Sequence, residues 1–216
     1  MPFEYSCFIS YRHAKYKQAR SYTDQIVEAL KGELELRVNQ EVFRDVERLR
    51  GGEFYNEALA SYLCKSMCMI MLYWPTYFSI GHTFCSREFK AMEKLEKERL
   101  AHLSKLNIKT KGLIIVLAIL DVESIPPEIR SSRLCYDFEP YTLRGSMFRN
   151  PEFKTKIREI SEYISQLYRM FGNVPEASDI FNNCNDFTLP PESEILPWLR
   201  KVARPVSIFP TRGIRQ

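Results

Sequence analysis

Hydrophobic and polar positions alternate between two periods along this chain, and each switch marks an element. Tyr5 to Tyr11 (YSCFISY) is rich in aromatic and β-branched residues and too short for a helix, which predicts a buried strand. Ala19, Tyr22, Ile26 and Leu30 then recur at helical spacing, with Lys17, Arg20, Asp24, Glu28 and Lys31 on the other face. Val42 and Phe43 predict a second short strand, ending at Arg44-Asp45. Beyond the Gly51-Gly52 turn, Phe54, Tyr55, Ala58, Leu59, Tyr62 and Leu63 form the wide apolar face of a helix. Met67 to Tyr73 reads as a third strand, closed by Pro75.

Residues 86 to 106 repeat Phe89, Met92, Leu95 and Leu103 on one side of a helix, with Glu93 and Lys97 spaced for an i, i+4 pair on the other. Gly112 to Leu120 is apolar throughout, as in a central parallel strand covered on both faces. Leu134 to Phe138 predicts a fifth strand. A long closing helix follows Asn150-Pro151, an N-cap followed by proline at the first helical position, with Phe153, Ile157, Ile160, Ile164, Leu167 and Phe171 as its apolar stripe. Strand and helix alternate throughout, so the expected fold is α/β: a flavodoxin-like, doubly wound sheet of about five parallel strands flanked by helices. Its predicted extent is residues 1–171. Residues 172–216 hold six of the twelve prolines and one short amphipathic stretch, Ile195 to Val202, and read as a Pro-rich C-terminal extension that wraps the domain or mediates contacts.

Composition changes this picture little. A chain of 216 residues with 45% hydrophobic and 27% charged positions can bury a full core and is neither disordered nor fibrous. No apolar run approaches the roughly 20 residues of a membrane span, and Glu4 stands where a signal peptide would turn from basic to apolar. The expectation is a cytoplasmic protein that engages no membrane. Six scattered cysteines without a CxxC pair are expected to be reduced thiols there. The net charge of +4 traces to Arg200, Lys201, Arg204, Arg212 and Arg215 near the end, so the body carries no nucleic-acid footprint.

In a doubly wound sheet, ligands bind beyond the C-terminal ends of the strands. That points to three loops, Ser10 to Gln18, Asp45 to Glu53 and Tyr73 to Arg87. None carries a GxGxxG, a GxxxxGK[ST] or a GxSxG motif, and His13, His82 and His102 lack metal-ligand spacing. No metal or bound cofactor is expected.

FISYR at Phe8 to Arg12, VFRDVERLRGGEF at Val42 to Phe54 and FCSREF at Phe84 to Phe89 stand in the order and spacing of the Toll/interleukin-1 receptor (TIR) domain, which residues 3 to 171 resemble. The middle motif is more similar to NAD-cleaving TIR enzymes than to immune adaptors. The FCSRE segment resembles the WCxxE segment whose glutamate is catalytic in TIR enzymes, which places that role on Glu88. The resemblance implies NAD+ as substrate, a nicotinamide–ribose bond as the target, and a pyrophosphate- or ribose-contacting arginine at Arg12. Ser10, Asp45, Phe54 and Phe84 complete the implied substrate site. Phe84 stands where the family often has tryptophan, His13 where close animal relatives have a second arginine, and Trp74 where many members have serine.

The residues support this chemistry independently. An ionised carboxylate beside the anomeric carbon stabilises an oxocarbenium-like transition state, and nicotinamide leaves neutral from a cationic pyridinium, so one carboxylate suffices. Plainer readings stand beside it: Glu88 as an acid in the first turn of its helix, Phe54 and Phe84 as core packing, Asp45 as a loop cap. The Tyr77 to Thr83 segment, with Tyr77, Phe78, Ile80 and His82, reads either as a partly apolar lid that favours a cyclised product or as a loop packed onto the third strand.

Two function classes follow. The first is an NAD+ glycohydrolase or ADP-ribosyl cyclase that releases nicotinamide and a linear or cyclic ADP-ribose product. The resemblance to stand-alone bacterial antiphage proteins implies that this product signals to an effector protein. Related enzymes complete their sites across subunits, which implies a homo-oligomer through the 45–53 loop. The second class is a non-enzymatic TIR interaction module docking through that same loop.

Overall fold

The computed structural model describes residues 2–13, 17–38, 40–44, 55–142, 147–175, 177–181 and 183–203. Strand β1 (Tyr5–Tyr11) is buried along its whole length and leads to helix α1 (Lys17–Glu35). Strand β2 (Glu41–Arg44), helix α2 (Tyr55–Cys64) and strand β3 (Ser66–Tyr73) follow, then helix α3 (Phe84–Lys105) and strand β4 (Ile114–Ala118). The chain continues through short α4 (Pro127–Arg130), β5 (Leu134–Asp137) and α5 (Glu139–Thr142). It closes with α6 (Pro151–Gly172), α7 (Ala177–Phe181) and α8 (Glu192–Val202).

The five strands form one parallel sheet in the order β2-β1-β3-β4-β5, which is the flavodoxin-like order with its switch point between β1 and β3. Helices α1 and α6 pack together, and α2 and α8 pack against α3. All residues of β3 and β4 are buried, because parallel strands covered on both faces have no wet side on which to place polar residues. The sheet is therefore as the apolar runs predict. The β4–β5 connection differs: it holds only a 3₁₀ turn at Val122–Ser124 and the four-residue α4, where strict alternation calls for a full helix.

Local chemistry fixes the ends of the elements. Asn150 caps α6, its side-chain oxygen accepting from the backbone N–H groups of Glu152 at 2.8 Å and Phe153 at 3.1 Å. The buried Arg99 of α3 donates to the carbonyls of Cys64, Ser66 and Met67, satisfying the backbone where α2 turns into β3, and its guanidinium lies over the Phe3 ring. Burial lowers the Arg99 pKa to about 10, which leaves it charged at neutral pH. Glu96, one turn earlier, accepts from the backbone N–H of Leu113 at 2.5 Å and pairs with Arg133, anchoring the entry to β4.

The segment beyond Gly172 packs back onto the body. Phe181 joins the rings of Phe3 and Phe171, and Trp198 stacks on Phe89 of α3 with ring centroids 5.7 Å apart. Trp198 also donates its indole N–H to Glu128 at 2.7 Å.

One expectation is overturned. Cys64, at the end of α2, and Cys184, between α7 and α8, form a disulfide, while Cys7, Cys68, Cys85 and Cys135 remain thiols. The return of the C-terminal segment brings the two Cα atoms to 5.8 Å although 120 residues separate them, a proximity that no local spacing reveals. The bond also removes the argument that scattered cysteines assign the chain to a reducing compartment. Among the described residues, no helix is long and apolar enough to cross a membrane.

Candidate functional site

Glu88 and Ser10 meet at the switch point. Ser10 is the next-to-last residue of β1, and strand alternation turns its side chain to the face covered by α3. Its hydroxyl donates to Glu88 Oε2 in a short hydrogen bond and lies 2.5 Å from the phenolic oxygen of Tyr77, in the loop after β3. All three side chains are buried, Glu88 at 5% exposure, Ser10 at 1% and Tyr77 at 0%. Burial, then the neighbouring Cys85 and Glu88, push the Tyr77 phenol well above its ordinary pKa, so it keeps its proton.

Helix α3 starts at Phe84, two residues before the periodicity places it, with Thr83 as N-cap. Phe84 and Cys85 end a loop in pattern, yet they supply the first helical positions. Glu88 is consequently the fifth helical residue, and the first turn contains no acid. This corrects the reading of Glu88 as a first-turn acid: the macrodipole fades beyond the first turn, and the carboxylate points into the protein against Ser10.

The remaining predicted residues divide. Arg12, just past β1, donates from Nη1 to the carbonyl of Thr76 at 2.7 Å, which ties it to the loop residue preceding Tyr77. Phe84 is 43% exposed, so it is no core residue, and the Arg87 guanidinium lies 5.6 Å from its ring centre. Arg87 itself donates to the carbonyl of Pro190 and to Asn56, away from Glu88. Asp45 and Phe54, with the rest of the 45–53 loop, lie outside the described residues.

The lid reading of Tyr77 to Thr83 is corrected in half its members. Tyr77 and Phe78 are buried, their rings edge to face at 4.9 Å, and Phe78 packs further on Phe89 and Trp198. Two large rings in a short loop bury more apolar surface by packing down than by covering a pocket. Ile80 and His82 stay exposed, in a tight turn closed by a bridge between Ser79 and His82.

Two features at this edge escape the sequence reading. One is the contact of Tyr77 with Ser10, since the sequence places Tyr77 only in the loop segment after the third strand. The other is the cluster on β1 and β2, in which Tyr11 stacks on His13 at 4.9 Å and lies under the Arg44 guanidinium at 5.1 Å, with Arg44 paired to Asp24 at 2.6 Å. An aromatic ring ending β1 and a cation ending the adjacent β2 are the signal that could have found this cluster. The arrangement as a whole is a carboxylate held by the Ser10 hydroxyl, which Tyr77 contacts in turn, with arginines and rings around the C-terminal ends of β1 and β2.

Among the described residues no group of His, Cys, Asp and Glu is placed to hold a metal ion. No protein-family model and no curated protein sequence matches this chain.

Proposed function

We propose that the chain is a TIR-type NAD+ glycohydrolase in which Glu88 is the catalytic carboxylate. The observation that carries this reading is the Ser10–Glu88 contact. It holds a buried carboxylate from α3 against the end of β1, beside the β1–β3 switch point at which ligands of doubly wound sheets bind.

The chemistry asks little of the protein beyond charge and position. The C–N bond between nicotinamide and ribose breaks with its electron pair moving to the pyridinium nitrogen, so nicotinamide departs neutral and the ribose becomes an oxocarbenium ion. Glu88, ionised and fixed, stabilises that cation. Arg12 contacts the pyrophosphate or ribose, and the exposed ring of Phe84 offers a stacking face. Addition of water with loss of a proton gives ADP-ribose, whereas attack by the adenine of the same molecule gives a cyclic product. With Tyr77 and Phe78 in the core, the case for a closed lid rests on Ile80 and His82 alone, and the two products are separated by the mass of one water. Asp45 and Phe54 complete the substrate site in this reading, and a homo-oligomer through the 45–53 loop completes the active assembly. The product serves as a nucleotide signal to an effector protein in antiphage defence.

Incubation of the purified protein with NAD+, followed by chromatography of nicotinamide, tests the reading. Release of nicotinamide that disappears in Glu88→Gln supports it. No turnover at any protein concentration contradicts it.

A further inference from the structure

We propose that Tyr77 is a positioning residue for Glu88, acting through Ser10 as the end of a directed hydrogen-bond chain, Tyr77 O–H to Ser10 Oγ and Ser10 O–H to Glu88 Oε2. The inference rests on the catalytic reading of Glu88 and gives Tyr77, read from the sequence only as part of a lid or a packed loop, a role in holding that carboxylate.

Proton counting sets the direction of the chain. A serine hydroxyl has one hydrogen to donate, and Ser10 gives it to the Glu88 carboxylate. The contact of 2.5 Å between Ser10 Oγ and the Tyr77 oxygen therefore has Tyr77 as donor and Ser10 as acceptor. Both O–H dipoles then point towards the carboxylate and polarise one another in a buried setting, which fixes the carboxylate in one orientation. Tyr77 is suited to the task because its phenol keeps its proton. Its ring is fixed between Tyr73 and Phe78, so the hydroxyl has little freedom to turn away. Ser10 is thereby committed to Glu88 and Tyr77, and its expected contact with substrate gives way to a linking role.

The test is a double-mutant cycle on the full chain, with Tyr77→Phe, Ser10→Ala and the pair, read as kcat and KM for NAD+ cleavage. Tyr77→Phe keeps the ring and removes only the hydroxyl, and it is expected to lower kcat about five- to tenfold with KM nearly unchanged. In the Ser10→Ala background the same change is expected to add little, because the link is already broken. Infrared difference spectra provide a readout independent of turnover: the Glu88 carboxylate stretch, identified by its loss in Glu88→Gln, is expected to shift in Tyr77→Phe. Should Tyr77→Phe fail to fold, spectra of the wild type and Glu88→Gln with 13C-labelled tyrosine are expected to show a shifted tyrosine C–O band. Wild-type kcat in Tyr77→Phe, an equal loss in both backgrounds, or unshifted bands would overturn the chain. A wild type that never cleaves NAD+ defeats the proposed function instead, and the infrared result then decides the hydrogen-bond chain by itself.

Discussion

Cys64 and Cys184 are joined across 120 residues of chain, and the bond ties the segment before α8 to the junction of α2 and β3. From that anchor the chain runs over the start of α3, where Thr83 donates to Glu192 and Arg87 donates to the Pro190 carbonyl at 2.8 Å. The residues flanking Glu88 are thus held by the C-terminal segment.

Closing so long a loop restricts the unfolded chain, and its loss is expected to cost about 2–4 kcal/mol. Thermal unfolding with and without reductant, and of Cys184→Ser, should show Tm lower by several degrees in both cases. Denatured, unreduced protein should yield four reactive thiols, those of Cys7, Cys68, Cys85 and Cys135. An unchanged Tm with six thiols would contradict the pairing.

Gly112 and Glu96 are matched in the same strict sense. Gly112 has φ +116°, and a Cβ there would stand 3.0 Å from Glu96 Oε1, the atom that accepts from Leu113 N. Gly112→Ala is expected to lose about 1–3 kcal/mol, from backbone strain and from displacement of the carboxylate. Glu96→Ala, which removes the acceptor of the Leu113 N–H and leaves Arg133 with Glu93 as its remaining carboxylate, is expected to lose about 1–3 kcal/mol. Urea titrations check both, and wild-type midpoints would show that the entry to β4 does not depend on this contact.

Arg12→Ala removes the charge proposed to meet the pyrophosphate while leaving the Ser10–Glu88 contact in place. KM for NAD+ should rise about tenfold or more, with a smaller change in kcat. A loss confined to kcat would move Arg12 from binding to chemistry.

How much of this was legible in the chain depends on whether its cause is local. The strands β3 and β4 are almost wholly apolar runs, β1 is rich in aromatic and β-branched residues, and α6 carries both its cap and its stripe, so these elements announce themselves. Glu88 and Ser10 were legible as residues, but their contact was not, because 78 positions separate them. Tyr77 follows Pro75 in a loop of mixed polarity, and only the packing of Phe78 against Phe89 and Trp198 shows that this loop turns inward. The onset of α3 at Phe84 was obscured by two apolar residues that fit a loop end as well as a first helical turn.

If the active site is completed between subunits, specific activity should rise with protein concentration. A dilution series over about a hundredfold, read alongside light scattering, checks this. Constant specific activity would show a self-sufficient monomer.

The central claim is that Glu88 cleaves the nicotinamide–ribose bond, and the most direct measurement is nicotinamide release from NAD+ by wild type and Glu88→Gln at matched, high concentration. Glutamine preserves the size of the side chain and removes its charge. The expected result is steady release by the wild type and a loss of about a hundredfold or more in the variant, with Tm little changed. Equal release by both proteins, or none by the wild type, would contradict the account.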